Sequence, residues 1–134
     1  MGQGLGQTQM KSLLDSTIMI DLLLNRPEAV NWFNQVSAKD LAVCPINYAE
    51  VLSGCSLQTD WNNAMDLLNS MNMLTIELED YIAAARVRQM YRFKLPDALL
   101  ASLVQKHKLT LLTRNTKDFN PSIHKFVKVP YKLR

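Results

Sequence analysis

A chain of 134 residues has material for one compact domain, which buries about two thirds of the surface its unfolded form exposes. Its 48% apolar and 20% charged composition excludes long disorder, and a formal charge of +3 with a pI near 9.0 admits a polyanionic partner without a histone-like excess. Cys44 and Cys55 have no neighbouring Cys or His, which argues against a zinc cluster or disulfide framework and fits a reducing cytoplasm.

Met1 to Met10 are rich in Gly and Gln and lack the basic and apolar regions of a signal peptide, so they read as a disordered leader. A single domain is expected from Lys11 to Arg134, and no apolar run approaches the ~20 residues that span a bilayer. Ser12 to Leu14 is a buried strand ending at Asp15, and Ile18 to Leu24 a short helix broken by Asn25, Arg26 and Pro27. Pro27 then opens an amphipathic helix carrying Ala29, Val30, Trp32, Phe33 and Val36. Leu41 to Cys44 is a second strand, stopped by Pro45. Pro45 to Ser53 is helical, with Gly54 placed to end it. Asp60 is a candidate cap for a helix through Trp61, Ala64, Met65, Leu67 and Leu68. A strand over Met73 to Ile76, helices over Glu77 to Phe93 and Pro96 to His107, a strand over Leu109 to Thr113 and an extended piece at Phe126 to Val129 complete the chain. Short strands alternating with helices, without hairpin signals, predict an α/β fold on a parallel sheet. In such sheets ligands gather beyond the carboxyl ends of the strands.

Four acidic positions fit that rule. Asp15 leaves the first strand, where it is either a group facing the crevice or the cap of the next helix. Glu50 stands one turn after Ile46 and one turn before Gly54, partly on an apolar face. A carboxylate half-buried there needs a basic partner, hydrogen bonds or a cation. Asp97 follows Pro96 at a helix start, a site favoured by the helix dipole alone, but apolar residues on both sides suggest a protected crevice. Asn115 and Asp118 lie in a polar turn after a strand, as edges of the same site or as ordinary turn residues. Carboxylates converging on one crevice repel each other, so their coexistence calls for a hard cation, Mg²⁺ or Mn²⁺, suited to phosphodiester hydrolysis. Basic residues crowd at Arg86, Arg88, Arg92 and Lys94 and again at Lys125, Lys128, Lys132 and Arg134, as solvated faces or as a polyanion-binding surface.

The segments Leu13–Leu23, Pro45–Gly54, Leu95–Ala101 and Leu112–Phe119 resemble, in order and spacing, the four motifs of PIN domains, and VapC-type toxins in particular. The resemblance implies a three-layer α/β/α sandwich with a central parallel sheet of four to five strands in the order 3-2-1-4-5. It implies a Mg²⁺- or Mn²⁺-dependent endoribonuclease acting on RNA, the toxin of a toxin–antitoxin pair, inhibited by a cognate antitoxin and often a homodimer. Asp15, Glu50 and Asp97 carry over as the principal acidic triad. The departure is Asn115, which stands where the family often has Asp, and Asp118 is placed to supply the missing carboxylate. Asp21 is expected behind the ligands, Thr113 as a group orienting a carboxylate or phosphate, and Arg114 as a contact to the RNA backbone.

Two other readings compete. A haloacid-dehalogenase-type phosphatase needs a second Asp two positions after the first, where this chain has Thr17. A non-catalytic PIN-like module that binds RNA or protein is opposed by Asp15, Glu50 and Asp97 and kept open by Asn115. Trp61, Met65, Leu68, Met71 and Met73 offer apolar surface for a two-fold homodimer, with core packing as the alternative.

Overall fold

The structure is a computed structural model and describes residues 10–134. The leader expected over Met1 to Met10 lies outside the described residues except for Met10, which is half-buried and packs against the core. In chain order the elements are β1 (Ser12–Leu14), α1 (Ser16–Leu23), α2 (Pro27–Phe33), a 3₁₀ turn (Ala38–Asp40), β2 (Leu41–Val43), α3 (Pro45–Ser53), α4 (Gln58–Asn69), β3 (Asn72–Met73), α5 (Leu78–Tyr91), α6 (Leu95–His107), β4 (Thr110–Leu112) and β5 (Val127–Lys128). The five strands form one sheet in the order β3-β2-β1-β4-β5. Every pairing is parallel, as expected.

Alternation along each strand sorts the side chains between two cores. Leu13, Ala42 and Leu111 face a cluster with the α5 and α6 residues Ala84, Leu100, Leu103 and Val104. Their neighbours Leu14, Val43 and Leu112 face the opposite cluster, built with Ile18, Met19, Ala64 and Leu68 from α1 and α4. Helices thus cover both faces, which gives the three-layer α/β/α architecture. Because β1 is central and buried on both faces, its carboxyl end opens only upward into the crevice beyond the sheet.

Pro opens three of the helices at their first or second position, where its missing N–H is no loss. Local departures from the predicted elements have identifiable causes. The β3 pairing covers only Asn72 and Met73, after which the Leu74 amide makes one more bond, to the Val43 carbonyl at 2.8 Å. The chain then leaves the sheet because α5 begins at Leu78 with Glu77 as its cap, so Thr75 and Ile76 serve as a connection. Asp60 does not cap α4. Leu57 holds that position, and Asp60 lies in the first turn, where its charge complements the helix dipole. Of the residues expected to offer surface for association, Leu68 and Met71 are core, whereas Trp61 and Met73 are 42% and 50% exposed.

One buried polar group is left without a partner among the described residues, the Ser102 hydroxyl on α6. A buried hydroxyl that gave up water for no new bond lowers stability, so Ser102→Ala is expected to stabilise the fold by about 1 kcal/mol. Denaturant unfolding of the two proteins checks this, and a destabilised alanine variant would mean that the hydroxyl has a bonding partner.

Candidate active site

Asp15 is the first residue beyond β1 and the N-cap of α1 at once, so the two readings of it coincide. It is 6% exposed, and its charge is met by three donors: the Ser16 amide at 2.9 Å, the Thr17 hydroxyl at 2.9 Å and the Thr113 hydroxyl at 2.7 Å. Thr113 directly follows β4, so this last bond ties the carboxyl ends of two neighbouring strands.

Glu50 comes from α3 and is exposed, a correction to the half-buried position read from its apolar neighbours. The helix turns Asn47 and Val51 inward and leaves Glu50 toward the crevice. No Lys or Arg pairs with it among the described residues. Its Oε1 accepts from the Ser16 hydroxyl at 2.7 Å. Behind it Asn47 is fully buried. Its amide donates to the Leu14 carbonyl at 3.1 Å and to Ser16 Oγ at 3.0 Å, and its oxygen accepts from the Cys44 amide at 2.8 Å. Asn47 therefore fixes the start of α3 against the end of β1, and its only sequence signal was an amide side chain three residues after the cap of a Pro-led helix.

Asp97 enters from the first turn of α6, and Asp118 from the turn after β4. A recess of about 250 Å³ is lined by Asp15, Glu50, Asp97 and Asp118, together with Lys94 and Asn115. All four predicted carboxylates thus line one recess at the carboxyl edge of the sheet. Asn115 holds Asp118, its amide donating to Oδ2 at 2.9 Å, while Lys94 stands 3.9 Å from the same oxygen. The electrostatic consequence falls on Asp97. Burial, then the charges of Asp15, Asp118 and Glu50, push its carboxyl up to about 6 against a partial counter-effect from Lys94. Ser16, Thr17 and Asn47 belong to this assembly without having been assigned to it from the sequence, and Lys94, read there only as part of a basic cluster, joins them.

Asp21 and Arg114 stand outside that lining. Arg114, expected to contact RNA backbone, has its guanidinium on Asp21, with Nε and Nη2 donating at 2.6 and 2.9 Å. The Tyr131 hydroxyl donates to the same carboxylate at 2.7 Å. Burial pushes the Asp21 carboxyl up, but the Arg114 and Tyr131 bonds outweigh it and hold the group below its usual range. The bidentate pair fastens the turn after β4 to α1, which keeps Asn115 and Asp118 in place.

Among the described residues no three or more His, Cys, Asp or Glu side chains are gathered closely enough to hold a metal ion as they stand. The donor chemistry nonetheless fits a hard divalent cation: four carboxylates, no sulfur or imidazole in the lining, and a carboxyl at Asp97 raised by burial and then by its acidic neighbours. Burial and repulsion together set a pH dependence. The folded state binds the Asp97 proton more tightly than the unfolded chain, whose group titrates near 3.8, so the favourable contribution is complete at low pH and disappears as pH rises through about 6. With chelator present, thermal melts of the wild type should fall relative to Asp97→Asn across this window, the gap widening up to about pH 6 and then levelling. Parallel melting curves from pH 4 to pH 8 would show that neither burial nor its acidic neighbours raise Asp97.

Comparison with known proteins gives a consistent result. The family described as PIN domain matches residues 12–120. A chain of a toxin–antitoxin complex from Klebsiella pneumoniae is 31% identical, with 92% of this chain and 100% of that chain covered and a TM-score of 0.79. VapBC from Salmonella typhimurium, bound to DNA, is 16% identical over 90% of this chain and 98% of that one, with a TM-score of 0.72. VapBC2 from Rickettsia felis, bound to a promoter fragment, is 18% identical over 90% and 97%, with a TM-score of 0.70. These last two are likenesses of fold. No curated protein matches the chain significantly. With the family pattern spanning β1 through the turn after β4 and the four acidic positions gathered at one strand edge, the chain belongs to the PIN-domain family.

Proposed function

We propose that this protein is a metal-dependent endoribonuclease, the toxin of a toxin–antitoxin pair held in check by a cognate antitoxin. The observation that carries the reading is the convergence of Asp15, Glu50, Asp97 and Asp118 from four separate segments on one recess, with Lys94 at its rim. The likeness at 31% identity to a chain of a toxin–antitoxin complex supports the biological role.

In this reading the four carboxylates hold Mg²⁺ or Mn²⁺, which when bound supplies Lewis-acid chemistry for hydrolysis of a phosphodiester. The protein's own groups set the stage. Thr17 and Thr113 fix Asp15, Ser16 fixes Glu50, and Asn115 fixes Asp118, so the negative charges are pre-oriented. Lys94, 78% exposed on its side chain, offers a cation to an incoming phosphate. No side chain has to act as a covalent nucleophile. No helix of the described residues is long and apolar enough to cross a membrane, in keeping with action on a dissolved polymer. Trp61 on α4 and Met73 on β3 remain exposed, and we assign them to a two-fold homodimer, which light scattering at micromolar concentration tests.

The activity is tested by incubating purified wild type and Asp97→Asn with labelled RNA in Mg²⁺, in Mn²⁺ and in chelator. Removing one charged ligand at nearly constant size should lower cleavage by at least about a hundredfold, with RNA affinity retained because the basic surface is untouched. Equal metal-dependent cleavage by the two proteins would remove Asp97 from the mechanism. Retained RNA binding with no cleavage by wild type in either metal would favour the non-catalytic module.

A further inference from the structure

Adjoining the acidic crevice and sharing Lys94, Asp97 and Asp118 with it lies a second recess of about 370 Å³, lined further by Tyr91, Arg92, Lys117 and His124. That volume falls within the range of roughly 300–1,000 Å³ typical of small-ligand sites. Its base is aromatic. Phe93 is 6% exposed and Phe119 fully buried, their rings 5.3 Å apart, and the His124 ring stands 5.1 Å from Phe93. Tyr91 rises from this base 44% exposed, edge-on to His124 at 5.2 Å. A tyrosine braced by other rings presents a rigid plane that loses little freedom when something stacks on it.

The charges complete the pattern. Arg92 has a φ of 60°, so the chain turns sharply out of α5, leaving Arg92 exposed while Phe93 is buried. Arg92 and Lys117 are both exposed and neither has an acidic partner among the described residues, whereas Lys94 is shared with Asp118. An acidic crevice repels a polyanion, so a strand running through it must be held by cations beside the acids. Free cations next to a braced aromatic plane match a nucleotide, with its phosphate and its flat base. An acidic peptide would satisfy the cations and leave the plane without a partner.

We propose that this recess is a nucleotide subsite flanking the scissile phosphate, where an unpaired base stacks on Tyr91, which His124 braces edge-on, while an adjoining phosphate meets Arg92 and Lys117. The assignment rests on the nuclease reading, and stacking on Tyr91 requires an unpaired base, since paired bases already have their faces covered.

The test is fluorescence anisotropy of the full chain with a labelled single-stranded oligoribonucleotide of mixed sequence and with its blunt duplex, in chelator and at several salt concentrations. Tyr91→Leu should weaken single-strand binding about tenfold and leave duplex binding nearly unchanged, while Tyr91→Phe should bind as wild type. Lys117→Gln, at an exposed position, probes the recess independently of any folding defect at Tyr91 and should flatten the slope of log affinity against log salt by about one unit. Unchanged single-strand affinity in both Tyr91→Leu and Lys117→Gln overturns the subsite. So does an equal loss for strand and duplex, or a polyglutamate peptide whose binding requires Tyr91. In Mn²⁺, Tyr91→Leu should raise KM about tenfold and leave kcat within about twofold. Metal-dependent cleavage with KM unchanged in Tyr91→Leu would remove the subsite and leave the nuclease, whereas Tyr91-dependent strand binding by a protein that never cleaves would remove the nuclease and leave the subsite.

Discussion

Asp15 carries a carboxylate into a position 6% exposed, at the end of the central strand of the sheet, and the surrounding architecture is arranged around keeping that charge there. An isolated buried charge is costly, and three donors converge to offset this: an amide from the start of α1, a hydroxyl one residue further along it, and a hydroxyl from the end of β4. The parallel pairing of β1 with β4 makes the last of these possible, because only parallel neighbours bring two carboxyl ends to the same edge. The order of the sheet and the chemistry of its upper edge are therefore one problem. A slip of one residue in β1 would exchange Leu13 for Leu14 between the two cores and turn Asp15 away from Thr113.

Charge, once concentrated there, is rationed by neutral polar groups. Asn115 occupies a place where a further acid would add to the repulsion already felt by Asp97, and its amide instead donates to Asp118. Ser16 accepts from Asn47 while donating to Glu50, so the exposed carboxylate of α3 is linked through one hydroxyl to a fully buried amide. The chain of bonds from Leu14 through Asn47 and Ser16 to Glu50 couples the centre of the sheet to the mouth of the crevice.

Much of this was legible in the sequence for physical reasons that can be named. Asp15 and Asp97 could be placed because strand ends and Pro-led helix starts are strong local signals, and the alternation of short strands with helices sufficed for a parallel sheet. Glu50 was located but its burial was misjudged, since Ile46 and Val51 show only that α3 has an apolar face, and the exact rotation of a nine-residue helix is set by packing against α1 and α4. Asp21 and Arg114 were named without their mutual bond, because the two lie 93 residues apart and nothing local pairs them. β3 was displaced because Leu74 and Ile76 are buried or half-buried as core and connection, and hydrophobicity does not distinguish that from strand pairing. Ser16 and Asn47 carry small neutral side chains whose roles arise only from partners across the fold.

The scattered origin of the crevice has a bearing on biosynthesis. Its acids come from the first strand's end, α3, α6 and the turn after β4, and the bond from Thr113 to Asp15 spans 98 residues. Contacts of such long separation form late and together, after the costs of loop closure have been met. A growing polypeptide that has left the ribosome only as far as α5 has Asp15 and Glu50 but neither Asp97, Asp118 nor the hydroxyl that orients Asp15. Such a fragment lacks two of the four carboxylates that line the recess. The fold itself thus completes the acidic recess only once translation has passed the fourth strand and the turn that carries Asp118.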